Sequence, residues 1–219
     1  MIPPPELTPG DTLISTLRHG LTELNREQRV GGRLDVPLIK QGRRQAEAAS
    51  ETFEGTDFDV VISSPLKRAI ETALIVTGAS AEQIVLEPLC VERSFGEMEG
   101  LTRAQVEEQF PQIVYLQIDH IGYSLNPPGG ESFDALRQRA EQFLDRLLSR
   151  YAGQRIIVSS HQNFLQQLHG HMQGRDPYDS LRTDLLNLEF NQFHLAPDRS
   201  LRGHRKLLLS TDADQYASF

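Results

Sequence analysis

The chain has 219 residues, 38% hydrophobic and 24% charged, which makes it too apolar for a disordered chain and long enough to bury one self-sufficient core. A formal net charge of −8 argues against a nucleic-acid or anionic membrane partner, so any anion it binds must be met by local positive charge. The one cysteine, Cys90, cannot close an internal disulfide, which points to a reducing, cytoplasmic setting.

The opening MIPPPELTPG is Pro-rich, which predicts an irregular lead-in over residues 1–11, and it lacks the pattern of a secretory leader. No stretch is apolar for long enough to span a bilayer. TLISTL (residues 12–17), DVVISS (59–64) and RIIVSS (155–160) are nearly continuous apolar runs, as expected of strands covered on both faces. Between them lie helical stripes. Ala46, Ala49 and Phe53 share one face, and Leu66, Ala69, Ile70, Ala73 and Leu74 share another. The longest stripe, residues 132–150, follows Gly129-Gly130 and aligns Phe133, Leu136, Ala140, Phe143, Leu144 and Leu147. Residues 101–130 break this rhythm with a short helix from Thr102, then Pro111, then a stretch ending in NPPGGE. They are expected to form an inserted lid. Residues 185–195 and 206–210 are predicted to be late strands. The alternation implies a single α/β domain over residues 1–219, with a mainly parallel sheet and helices on both faces.

Ligands of open parallel sheets sit beyond the carboxyl ends of the strands. The first run is followed by Arg18-His19-Gly20, then Thr22 and Asn25; the second by Ser64-Pro65, then Lys67-Arg68; the third by His161, Gln162 and Asn163. Taken singly, Arg-His-Gly is an ordinary turn, Arg68 a solvated helix residue and His161 a cap. On one sheet edge together, the two guanidiniums repel unless an anion joins them, and a phosphoryl group suits both their forked donors and the helix starts nearby.

Five motifs in order carry a resemblance. RHGLTELN (residues 18–25), GGRLDVPLIKQGRRQAE (31–47), SSPLKRAIETA (63–73), VERSFGEMEG (91–100) and VSSHQNF (158–164) are similar to signatures of the histidine phosphatase superfamily, which includes the cofactor-dependent phosphoglycerate mutases. NPPGGES (126–132) resembles its phosphatase branch, and RLDVPL its α-ribazole-phosphatase-like members. The resemblance covers residues 12–170 and implies a three-layer α/β/α sandwich. It makes His19 the nucleophile of a phosphohistidine intermediate and Glu92 the general acid. Arg18, Asn25, Arg68 and His161 would hold the phosphoryl oxygens, with Thr22 and Gln162 beside them. Gln162 stands where relatives commonly have Gly, and Glu71, where many have Gln, is expected to face solvent.

No metal or other cofactor is called for, because arginines take the place of a cation. His169 and His171 do not match metal-site spacing, and His120, His194 and His204 are expected to be structural or exposed. Glu23, Arg33, Phe95, Met98, Tyr115 and Tyr123 are candidate pocket-lining residues. Residues 101–130 contain Arg103 as their one Lys or Arg, too little charge for the second phosphate of a mutase intermediate. The expected activity is therefore hydrolysis of a small phosphorylated metabolite. A mutase and a non-catalytic binding relative are the alternatives, and the family suggests a homodimer.

Overall fold

In the computed structural model, which describes residues 8–209, the predicted apolar runs lie side by side in one sheet. Residues 1–7 of the expected lead-in and Ser210 of the last predicted strand fall outside the described residues. The elements run β1 (Thr12–Arg18), α1 (Glu23–Arg26), α2 (Lys40–Ser50), β2 (Val60–Ser63), α3 (Lys67–Thr77), β3 (Ile84–Leu86), α4 (Arg103–Gln109), β4 (Tyr115–Ile118), β5 (Ile121–Ser124), α5 (Phe133–Tyr151), β6 (Arg155–Ser160), α6 (Gln162–Met172), β7 (Glu189–Leu195) and β8 (Leu201–Leu208). The six-stranded sheet has the order β3-β2-β6-β1-β7-β8. Its first four strands are parallel, whereas β7 is antiparallel to β1 and β8 to β7.

Alternate strand residues feed opposite faces. Ile14, Ile62, Ile156 and Val158 pack with Phe133, Phe143, Leu147, Phe164 and Leu168 of α5 and α6. Leu17, Val61 and Ile157 pack on the other side with Ala46 and Ala49 of α2 and Ala73 and Val76 of α3. A helical layer thus covers each face, which is why the strands read as unbroken apolar runs. The start of α5 is fixed by Ser132, whose Oγ accepts the Ala135 N–H at 3.1 Å, a cap contributing about 1 kcal/mol. Gly42 lets α2 lie directly on the loop after β1, since a Cβ there would come within 2.2 Å of the Leu21 carbonyl oxygen.

The structure departs from expectation at several points. The three-residue β3 has no counterpart in the prediction, because Val85 and Leu86 are exposed at the sheet edge and leave no continuous run. After α4, β4 and β5 form an antiparallel hairpin whose Ile121 and Tyr123 are buried in the core against α5 and α6. The run predicted as a strand from Leu185 becomes regular strand only at Glu189: Leu188 has φ 57°, and the Leu185 carbonyl accepts from the Arg18 side chain. Glu71 does not simply face solvent. Its Oε2 accepts the Leu38 N–H at 3.0 Å and pairs with Arg43 at 2.8 Å, fastening the entrance of α2 to α3.

On α6, His169 is buried with its Nε2 2.8 Å from Thr16 Oγ1 and its ring 4.7 Å from that of Phe193. Burial, followed by the charges of His204 and Lys206, pushes its pKa down to about 3. The folded state therefore refuses a proton that the unfolded chain takes up below about pH 6.5. The corresponding stability is present above that pH and is lost progressively toward pH 3. Between pH 8 and pH 5 the wild type should lose about 2 kcal/mol more unfolding free energy than His169→Gln, from about 1.4 kcal/mol per pH unit below the imidazole value. Urea unfolding at both pH values measures this, and equal losses would contradict it.

Candidate active site

Adjacent parallel strands deliver the two central histidines together. In the β1–β6 register Arg18 lies opposite Ser160, so His19 and His161 leave the sheet as neighbours. The His19 N–H donates to the Ser160 carbonyl at 3.0 Å, and the ring centroids are 5.1 Å apart. On the other side of β6, β2 leads into Ser64 and then the first turn of α3, which carries Arg68.

The hydrogen bonds assign the state of each ring. His19 Nδ1 lies 2.7 Å from the Gly20 carbonyl oxygen, to which it can only donate, so Nε2 carries the lone pair. Arg68 Nε sits between the imidazoles, 3.3 Å from His19 Nε2 and 3.2 Å from His161 Nδ1. His161 Nε2 donates to Ser64 Oγ at 2.7 Å. Burial, reinforced by the Arg68 charge, holds both rings well below the ordinary imidazole range, and both are neutral at pH 7.

Arg68 is held on all sides. Its Nη1 and Nη2 donate to the carbonyls of Leu34 at 2.6 Å and Gly32 at 2.7 Å. Burial lowers its pKa to about 10, which leaves it a cation at neutral pH. Gly32 has φ 48°, and a Cβ there would fall 2.3 Å from Glu99, so this turn requires glycine. Arg18 is also buried; it donates to the Leu185 carbonyl, and burial lowers its pKa.

Arg18, His19 and Arg68 border a cavity that opens to solvent. Arg18, His19, Asn25, Arg68 and Glu92 supply its polar chemistry, and Leu24, Val30, Val36 and Phe95 an apolar wall. Thr22 also lines it, but its hydroxyl is committed to Asn25 Oδ1 at 2.8 Å within the reciprocal cap that opens α1. This leaves Asn25 Nδ2 as the donor on that side. Glu92 reaches across to the start of α6, where its Oε2 lies 3.4 Å from the Asn163 N–H and its Oε1 3.3 Å from the Phe164 N–H. Such an arrangement can bind a phosphoryl group beside a neutral imidazole nitrogen, with a carboxyl group on the same cavity.

Two predicted phosphate contacts stand further back. His161 is fully buried, contributes no surface to the cavity, and acts on it through Arg68. Gln162 is buried with its side chain beside the Tyr123 hydroxyl and contributes no surface to the cavity. Of the proposed lining residues only Phe95 lines the cavity. Met98 packs with Val30, Val106 and Ile113, and Tyr123 is a core residue donating to the Leu181 carbonyl. Tyr115 lies under the Arg103 guanidinium, 3.6 Å from its ring centroid. Arg33 pairs with Glu131 at 3.4 Å, Glu23 pairs with Arg26, and neither lines the cavity. No lining residue comes from 101–130.

The sequence reading missed Arg29, which lines the cavity with its Nε on Glu27 at 2.7 Å and its Nη1 on the Gly100 carbonyl at 2.9 Å. It also missed Asn187, whose Nδ2 donates to the His19 carbonyl at 2.8 Å and steadies the backbone of that histidine. The signal for Arg29 lay in its place between Asn25 and the GGRLDVPL turn; Asn187, alone among leucines, offered none. Among the described residues, no three His, Cys, Asp or Glu side chains are grouped to hold a metal, and no helix is long and apolar enough to cross a membrane.

A family model described as histidine phosphatase superfamily (branch 1) matches residues 14–202. The chain is 38% identical over 151 residues to the bifunctional protein Rv2228c of Mycobacterium tuberculosis, covering 68% of this chain and only 41% of that one. It is 32% identical over 180 residues to a 2,3-bisphosphoglycerate-dependent phosphoglycerate mutase of Cytophaga hutchinsonii, covering 79% of this chain and 83% of that one. Its fold is similar to that of the α-ribazole phosphatase of Shigella flexneri, with a TM-score of 0.77, 25% identity, and 90% and 96% of the two chains covered. With the paired histidines and buried arginines at the strand ends, the match over residues 14–202 leads to one assignment: the chain belongs to branch 1 of the histidine phosphatase superfamily.

Proposed function

We propose that the protein is a phosphomonoesterase of the acid-phosphatase type that hydrolyses a small phosphorylated metabolite through a phosphohistidine at His19. The observation that carries this reading is the His19 tautomer: Nδ1 is tied to the Gly20 carbonyl, and the Nε2 lone pair sits beside the Arg68 cation. In the first step Nε2 attacks phosphorus as the ester P–O bond breaks, and the leaving oxygen takes its electron pair and a proton from Glu92. In the second, the Glu92 carboxylate takes a proton from water, whose oxygen attacks phosphorus as the N–P bond breaks. This returns neutral His19 and releases phosphate.

Arg18 and Arg68, with the Asn25 amide, meet the charge that spreads over the equatorial oxygens. Preorganised donors of this kind are worth about 2.7–4 kcal/mol each. His161 keeps Arg68 in place, as its Nδ1 accepts from Arg68 Nε and its Nε2 is anchored on Ser64. The same reading expects a reducing, cytoplasmic compartment, since a single cysteine, Cys90, cannot close an internal disulfide.

Hydrolysis is favoured over mutase transfer by the supply of charge. Arg103 is engaged by Tyr115 and Glu107, outside the cavity. Arg29 does line the cavity but is already paired with Glu27. A second phosphate would therefore find little uncommitted positive charge. The purified protein should release phosphate from p-nitrophenyl phosphate faster than it interconverts 2- and 3-phosphoglycerate. His19→Ala should lower turnover by at least about 10³-fold without lowering Tm. Efficient interconversion with little hydrolysis overturns the phosphatase reading, and full turnover in His19→Ala overturns the nucleophile.

The state of His19 also sets a pH dependence. A pKa held well below the ordinary value keeps the nucleophile unprotonated as the pH falls through about 6.5. After correction for the substrate's own ionisation near pH ~6, kcat/KM should hold through that range and fall only at markedly lower pH. An acid limb centred on the ordinary imidazole value would contradict this.

A further inference from the structure

The segment that presents Glu92 has no regular structure. Residues 91–95 lie between two short helical turns and pair with no strand, so their backbone carbonyls need partners from elsewhere. One side chain supplies those of Val91 and Glu92, and of Leu89 just before them. Arg139, two turns into α5, donates through Nη1 to the carbonyls of Leu89 at 2.7 Å and Val91 at 2.8 Å, and through Nη2 to that of Glu92 at 3.3 Å.

The guanidinium is aimed by a second residue. Glu131 receives it in forked geometry, with Oε1 2.9 Å from Nε and Oε2 2.8 Å from Nη2. Both side chains are nearly buried, at 13% and 11% exposure, so solvent does little to loosen the pair. Glu131 also grips the far end of the segment. Its N–H donates to the Ser94 carbonyl at 2.8 Å, and its carbonyl accepts from Arg93 Nε at 2.7 Å. The Arg139 guanidinium lies 5.4 Å from the ring centroid of Phe164, whose own N–H contacts the Glu92 carboxylate. Glu92 is thus held by its backbone from α5 and by its carboxylate from α6.

We propose that Arg139 and Glu131 form a positioning clamp for the proton-donating carboxyl, and that transfer of the proton to the leaving oxygen depends on it. This rests on the assignment of Glu92 as general acid. Neither clamp side chain lines the cavity, and Arg139 meets Glu92 through its backbone rather than through its carboxylate. A displacement on the order of 1 Å at a catalytic group costs roughly 10²-fold in rate.

The test compares two substrates that differ in their need for a proton. p-Nitrophenolate leaves as a stable anion, whereas the alkoxide of β-glycerol phosphate must be protonated. The readout is kcat/KM, which reports phosphoryl transfer to His19 and not the hydrolysis step that both substrates share: Glu92→Gln, the reference, should lower it on β-glycerol phosphate by about 10²–10⁴-fold and on p-nitrophenyl phosphate far less. Arg139→Met should shift the ratio of the two kcat/KM values in the same direction, with a loss of about 10–100-fold on β-glycerol phosphate. Glu131→Gln should follow it, and Arg139→Lys, which keeps the charge but not the fork, should lie between Arg139→Met and wild type. The ratio does not depend on the fraction of folded protein, and Glu131→Gln and Arg139→Lys carry the test if Arg139→Met does not fold. If the clamp variants slow both substrates equally, or neither, while Glu92→Gln discriminates, the clamp is wrong and the acid assignment stands. If Glu92→Gln itself does not discriminate, both fall.

Discussion

A cation buried between two uncharged imidazoles is the arrangement on which the rest of the site depends. Arg68 Nε can approach His19 Nε2 and His161 Nδ1 together only if both nitrogens offer lone pairs. The Gly20 carbonyl fixes this for His19 by accepting from the opposite side of the ring, and the Ser64 hydroxyl is placed to accept from the far side of His161. Protonating either imidazole would set like charges in contact where water cannot screen them. The cation thus keeps the neighbouring nitrogen nucleophilic while remaining available to an incoming anion, two requirements that usually conflict.

Holding that arrangement falls to backbone carbonyls more than to carboxylates. Leu34 and Gly32 receive Arg68, and Leu185 receives Arg18. Carbonyls satisfy a guanidinium without neutralising it, so the positive charge at the site is preserved for a ligand despite an overall negative chain. The parallel order of β2, β6 and β1 makes this economical, because three neighbouring strands end at one edge and release their next residues into the same volume.

What could be read from sequence follows this division. Strands buried on both faces announce themselves, and the residues just past their ends, Arg18, His19 and His161, are located by that fact alone. Arg68 becomes legible once Ser63 and Ser64 mark the end of β2. The reading failed where a side chain's role depends on distant backbone. Arg139 on a polar helix position looks like any solvated arginine, and Asn187 and Leu185 look like parts of a strand. Aromatic residues guessed for the pocket, Tyr115 and Tyr123, were drawn into other packing: one beneath Arg103, the other into the core carried by an unanticipated hairpin. Glu71 misled for the same reason, since its partners, the Leu38 N–H and Arg43, lie some thirty residues earlier in the chain.

The turn that carries Gly32 and Leu34 touches Arg68 through main-chain oxygens alone. Side chains on the flanking stretch, Leu24, Val30 and Val36, face the cavity without entering the polar network. Chemistry and selectivity are therefore written in different parts of the same loop: one in atoms that every residue possesses, the other in atoms that substitution can exchange. Under the proposed phosphatase reading, such a loop is one that can be re-lettered to suit a new alcohol while the phosphoryl-handling apparatus is inherited intact.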